Sequence, residues 1–371
     1  MAKAAHQDKA QMDAHKVKTI NPMGTDGFEF VEYTAPNAEG IDALKSLFSL
    51  MGFAEVAKHK HKDVWLYRQG EVNFIVNGEH DSQAEGFAQQ HGASVNAMAF
   101  RVTDALHAMN YAVKQGATAC EPRIGPMELN VPAVHGIGGS YLYFVDRYGD
   151  NDIYSIDFDY YPDWKEKVAA SDAGLTFIDH LTHNVEKGNM DVWADFYDRI
   201  ANFKEIRYFD IEGKLTGLKS RALTAPCGKI RIPINESSDD KSQIAEYLKE
   251  YNGEGIQHIA LSTDDIFKTV ETLRQRGMAF MNTPDTYYET INTRVEGHDE
   301  NVETLRDMRV LIDGSVSSGI LLQIFTDTVI GPVFFEIIQR KGNQGFGEGN
   351  FQALFESIEL DQIRRGVLDA G

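Results

Sequence analysis

The chain has 371 residues, 42% of them hydrophobic, more than a single core usually absorbs, so two domains are expected. Its formal net charge of -20, from 36 basic and 56 acidic residues, disfavours nucleic acid and anionic membranes as partners. Two distant cysteines, Cys120 and Cys227, form no disulfide or zinc pattern, and no apolar run suits a membrane span or signal peptide, so a cytoplasmic protein is expected.

Residues 1–26 read as a polar N-terminal tail. A repeat of four units follows, each a strand-like opening, a helical pattern and further strands. The first opens at Phe28-Glu29-Phe30-Val31-Glu32-Tyr33, continues as a helix through Ile41, Leu44, Leu47 and Phe48, and closes with strands around Trp65-Leu66-Tyr67 and Val72 to Val76. The second opens at Ala97 to Val102, has a helix from Asp104 to Gln115, and closes at Ser140 to Val145. Asp159 to Asp172 is polar and reads as a linker, giving an N-terminal domain over residues 27–160, a linker over 161–174 and a C-terminal domain over 175–371.

The third unit opens at Ile178-Asp179-His180-Leu181-Thr182-His183, with a helix from Met190 to Ile200 and strands near Ser220 to Leu223 and Lys229 to Ile234. The fourth opens at Ile256-Gln257-His258-Ile259, with a helix from Asp265 to Arg276 and strands at Gly319 to Phe325 and Pro332 to Gln339. Thr103-Asp104 and Thr263-Asp264 both stand at helix starts, where short polar side chains cap free amides. Past Gly345-Phe346-Gly347-Glu348-Gly349-Asn350, the residues Phe351, Leu354, Phe355, Ile358 and Ile363 keep helical spacing, as a hinged helix covering a pocket would.

Two histidines and one carboxylate on one face are a typical set for non-haem iron. His180 and His258 occupy corresponding places in two opening strands, and Glu336 lies in an apolar strand where a carboxylate is costly unless paired or metal-bound. Aligned by their openings, the first two units put Phe30 where His180 stands and Met98 where His258 stands, so the N-terminal half has no such site and supplies structure. His183, three residues along the strand, faces away from His180, and His59 and His61 read as solvated. The glycine run fits neither the Rossmann nor the Walker spacing, and there is no nucleophile elbow.

These residues resemble the 4-hydroxyphenylpyruvate dioxygenases. The resemblance covers nearly the whole chain and is most specific at Ile178-Asp179-His180, Arg231 to Glu236, Gly255 to His258, Leu321 to Phe325, Phe335 to Arg340 and Gly345 to Phe351. It implies an α+β fold of paired βαβββ modules in two open β-barrels, the vicinal oxygen chelate fold, with a C-terminal helix. It implies one Fe(II) per chain on His180, His258 and Glu336, with O2 as co-substrate and no separate protein acid or base. For substrate binding it implies the polar residues Ser220, Asn235, Gln243, Gln257 and Gln323, the aromatic residues Phe325, Phe334, Phe346 and Phe351, and the lid residue Asn350.

The implied reaction converts 4-hydroxyphenylpyruvate and O2 into homogentisate and CO2, as in tyrosine catabolism, the 2-oxo acid supplying its own reducing electrons. The implied partners are the small 2-oxo acid and further copies of the chain, as a dimer or tetramer. Hydroxymandelate synthase, on the same scaffold, is the nearest rival, and Asn235 with Phe325 and Phe351 fits the dioxygenase pattern better. A non-catalytic ligand-binding protein would have no use for an intact triad. An extradiol catechol dioxygenase would share the metal face without needing a 2-oxo acid.

Overall fold

The structure is a computed structural model that describes residues 20–121, 124–125, 128–212, 217–237 and 242–354. Its strands in the first half are β1 (Thr25–Thr34), β2 (Ala54–His59), β3 (Val64–Gln69), β4 (Val72–Asn77), β5 (Ser94–Val102), β6 (Ala133–His135), β7 (Tyr141–Val145) and β8 (Phe158–Tyr160). The second half contributes β9 (Leu175–Val185), β10 (Lys204–Glu212), β11 (Gly217–Thr224), β12 (Arg231–Ser237), β13 (Gly255–Thr263), β14 (Leu311–Ser315), β15 (Gly319–Phe325) and β16 (Phe334–Lys341).

Two eight-stranded sheets result, in the orders β6-β7-β5-β1-β4-β3-β2-β8 and β10-β11-β12-β9-β13-β16-β15-β14. In each, the opening strands of two units pair antiparallel, β1 with β5 and β9 with β13, while each opening strand pairs parallel with the last strand of its own unit. This is the repeat seen in the sequence, folded twice. Three of the helices that follow opening strands bring their own cap: Asn37 accepts from Gly40 N, Asp104 from His107 N, and Asp265, rather than Asp264, from Lys268 N, while the helix Met190–Ala201 after β9 has no side-chain cap.

The alternation of strand side chains separates two environments. Val31, Tyr33, Met98, Leu181, Ile259 and Phe335 lie on outer faces and join the helices in one large core shared by both halves. Inner faces have their own linings, Phe30, Ile75, Ala99 and neighbours in the first sheet and Ala260, Leu321 and Ile338 in the second. The stretch expected as a linker contains the helix Trp164–Ser171, which has no buried residue. The terminal helix begins at residues 348–354, and its expected continuation through Phe355, Ile358 and Ile363 lies outside the described residues, as does most of the polar tail. Among the described residues no helix is long and apolar enough to cross a membrane.

Candidate metal centre

Three neighbouring strands converge on one point inside the second sheet. Ala260 on β13 pairs with His180 on β9 and with Glu336 on β16, and His258 sits two residues earlier on β13 on the same inner face. His180 Nε2 lies 3.2 Å and His258 Nε2 3.4 Å from Glu336 Oε2. One ligand atom from each residue falls within 4.8 Å of the others, and all three residues are buried.

The other ring nitrogens are already committed. His180 Nδ1 is 2.9 Å from Asp179 Oδ1 and His258 Nδ1 is 3.0 Å from Gln257 Oε1. Both partners are acceptors, so each Nδ1 carries the proton and each Nε2 offers a lone pair to the common point. Burial would raise the Glu336 carboxyl, but the two imidazoles outweigh it and hold it down to about 2. Burial likewise opposes charge on His180, yet Glu336 and Asp179 raise its pKa, whereas for His258 burial prevails and lowers it. Without an ion the carboxylate is compensated by an imidazole; a divalent cation would take that place.

The donor set fits a metal that favours nitrogen and oxygen with open positions. Glu336 Oε1 is buried without a hydrogen-bond partner, and so are Thr182 Oγ1, both amide atoms of Asn184, Gln323 Oε1 and Asn350 Nδ2. Such orphaned polar atoms are expensive in a finished core and normal in a site awaiting polar ligands.

The expected pocket residues divide into two groups. Phe334 stacks on His258 at 4.9 Å, Phe325 lies 6.4 Å from the same ring, and Phe346 stands edge-on to His180 at 5.2 Å. Gln323 lies against the loop before the terminal helix, since a Cβ on Gly347 would fall 2.0 Å from its Oε1. Asn350 is buried and accepts from Tyr287 Oη at 2.6 Å. Ser220 and Asn235 are paired across β11 and β12, and Asn235 also pairs with Asn184 of β9.

The other two expected residues are exposed. Gln243 is exposed in the first turn of its helix, and Phe351 is 37% exposed on the outside of the terminal helix.

Gln257 has an unforeseen position. The register shifts between Ile256 and His258, leaving Gln257 as an extra residue on β13, and this bulge places its amide beside the His258 ring. An identical shift makes Asn96 the extra residue of β5, so Ala97, not Met98, occupies the place of His258. Met98 points into the shared core. The registers then put Phe30, Ala97 and Tyr143 where His180, His258 and Glu336 stand, and none of them is a metal ligand. His183 does face away, bonding Tyr197 Oη at 2.7 Å, and burial pushes its pKa down to about 3.

Sequence reasoning missed Thr182 and Asn184, although the two-residue period from His180 puts them on the same face. It also gave no role to Asp179, which is bound by Arg340 through Nε at 2.7 Å and Nη2 at 2.8 Å and by Arg231 at 3.3 Å.

Comparison with known proteins agrees with this geometry. The family model described as "Hydroxyphenylpyruvate dioxygenase, HPPD, N-terminal" matches residues 19–159, and that of the "Glyoxalase/Bleomycin resistance protein/Dioxygenase superfamily" matches residues 177–302. A 4-hydroxyphenylpyruvate dioxygenase of Pseudomonas aeruginosa is 63% identical over 95% of this chain and 99% of its own. The chain belongs to the 4-hydroxyphenylpyruvate dioxygenase family.

A Vibrio vulnificus protein named hemolysin VllY is 70% identical over 95% of this chain and 99% of its own. Among solved structures, a 4-hydroxymandelate synthase mutant from Streptomyces coelicolor superposes with a TM-score of 0.76 at 26% identity, covering 92% of this chain and all of that one.

Proposed function

We propose that the chain converts 4-hydroxyphenylpyruvate and O2 into homogentisate and CO2, using one Fe(II) held by His180, His258 and Glu336. The observation that carries this reading is the convergence of ligand atoms from two buried histidines and one buried carboxylate within 4.8 Å of one another, in a chain of this family. Ferrous iron would supply Lewis acidity toward the 2-oxo acid and the redox chemistry with O2.

The chain's own residues arrange the rest. Asp179 and Gln257 hold the two imidazoles in the tautomer that donates through Nε2. Phe334, Phe325 and Phe346 wall the cavity with aromatic surface, orienting the substrate ring and keeping water away. Thr182, Asn184, Gln323 and Asn350 offer the unpartnered polar atoms, and Ser220 and Asn235 share the same wall. Gln243 and Phe351 could contribute only through rearrangement of their segments, given their exposure.

On this reading residues 27–160 form the structural half, 161–174 join the halves, and 175–371 carry the iron. The enzyme works in the cytoplasm as a homo-oligomer on a free small molecule.

The test is anaerobic loading with Fe(II), addition of 4-hydroxyphenylpyruvate and then air, with chromatographic identification of the product. Homogentisate is expected; 4-hydroxymandelate would indicate the synthase reaction instead. His180→Ala, His258→Ala and Glu336→Ala should each abolish both turnover and stoichiometric iron while circular dichroism stays unchanged. Full turnover with bound iron in any of them removes that residue from the ligand set.

A further inference from the structure

The inner face of the first sheet forms the floor of a half-open pocket of roughly 780 Å³, within the range of small-molecule sites. It is the counterpart of the metal cavity, and the exchange of all three ligand positions for Phe30, Ala97 and Tyr143 has left it open rather than filled. Its walls include Phe30, Val64, Ile75, Tyr141 and Tyr143, with Phe30 and Tyr143 ring centroids 5.6 Å apart.

Beside these apolar side chains, on the floor of the pocket, stands a buried carboxylate. Glu32, 7% exposed, occupies the position that Thr182 holds in the second sheet. Asn96 and Asn77 donate to its Oε1 at 2.6 and 2.8 Å, while Oε2 has no hydrogen bond among the described residues and Glu32 lines the cavity. The Tyr143 hydroxyl likewise has no hydrogen bond among the described residues. A buried carboxylate fixed by two amides on one oxygen keeps its other oxygen available to a ligand that enters the pocket.

The surrounding charge selects the ligand's sign. Among the described residues, Glu79, Asp81, Glu121, Glu128 and Asp157 also line the pocket, with His59, His80 and one lysine, Lys62, whose charge also acts on Glu32 and whose Nζ lies 2.6 Å from Glu128. An anion such as the 2-oxo acid would be repelled. An ammonium group would meet Glu32 and the aromatic faces together, and an apolar body would fill the rest.

We propose that the N-terminal barrel is a second binding site, separate from the metal centre, for a small organic ammonium with an aromatic or apolar body, anchored by Glu32 and Tyr143. This stands independently of the reaction assigned to the other half.

The test uses the full metal-loaded chain, 2-phenylethylammonium as probe and 3-phenylpropionate as its anionic match, followed by calorimetry. Saturable binding of the ammonium is expected, weakened about tenfold or more in Glu32→Gln, which keeps the acceptor for both asparagines, and in Tyr143→Leu. Binding of 3-phenylpropionate should be the same in all three proteins, and hydrogen exchange should slow in β1 and β7 when the ammonium binds. Both variants should retain wild-type turnover, which shows that they fold. Ammonium binding unchanged in both variants, or absent from the wild type at about 10 mM, would overturn the proposal.

Discussion

Asp179 shows how much of a metal site is decided one residue away from its ligands. Its carboxylate is wholly buried, and burial would raise its pKa, but Arg340 and His180 hold it far below the carboxylate range, and Arg231 bonds it as well at 3.3 Å. We expect Asp179→Asn to weaken Fe(II) binding by about 10–100-fold, the usual cost of losing a group that orients a metal-bound histidine. Competition against a fluorescent chelator measures this, and Asp179→Glu should recover part of the loss. An affinity unchanged in Asp179→Asn would mean that the His180 ring is held by packing alone.

Glu32 gives a second expectation at this scale. Its burial raises its pKa, so the folded protein holds that proton at a pH where the unfolded chain has released it. Its contribution therefore becomes unfavourable as pH climbs from the ordinary glutamate range through the raised value. Glu32→Gln should gain melting temperature relative to the wild type over that rise, and a difference independent of pH would refute the linkage. The three proposed ligands were legible because chemistry restricts them to few residue types, and the repeat located the histidines. The Arg340–Asp179 pairing was not, since it joins residues 161 positions apart and follows only from the folded sheet.

Elements were legible where period and caps agreed, as in the helices after β1, β5 and β13. The helix Trp164–Ser171 was hidden because it buries no residue and so shows no apolar stripe. Bulges were hidden for a different reason: an extra residue at Asn96 or Gln257 reverses which neighbours face inward, and composition does not announce it. That is why Met98 was aligned with His258 in place of Ala97.

The loop before the terminal helix is the element most open to experiment. Arg340 donates to the Asn343 carbonyl at 3.2 Å and also to Asp179, so the loop leading to Phe346 is tied to the group that orients His180. Gly347 in that loop has φ +78°, a conformation that costs an L residue about 1–2 kcal/mol. Gly347→Ala adds a Cβ against Gln323 as well. We expect wild-type iron affinity, a raised KM and more O2 consumed per product formed, read with an oxygen electrode and chromatography. Wild-type KM and coupling would show that the loop does not close the cavity.

At the scale of the whole molecule, the two halves behave as one body because their outer faces share a core. Phe335, the residue before Glu336, lies 5.9 Å from Phe74 and 6.4 Å from Tyr33, both in the first sheet. Gln69 on β3 accepts from Ala173 N at 2.7 Å and donates to Met51 O at 3.0 Å, tying the joining segment to the first half. Phe100 and Phe203 add a stacked pair across the same boundary at 5.9 Å. Separating the halves would expose these aromatic surfaces, so the N-terminal half supports the sheet that carries the candidate metal centre, although none of its described residues belongs to the triad. Phe335→Ala should cost about 3–5 kcal/mol, the range for removing a buried aromatic ring. Because the lost contacts belong to both sheets, calorimetry should still show a single transition, moved to lower temperature. Two transitions, with only the metal-bearing half destabilised, would mean that the shared core does not couple the sheets.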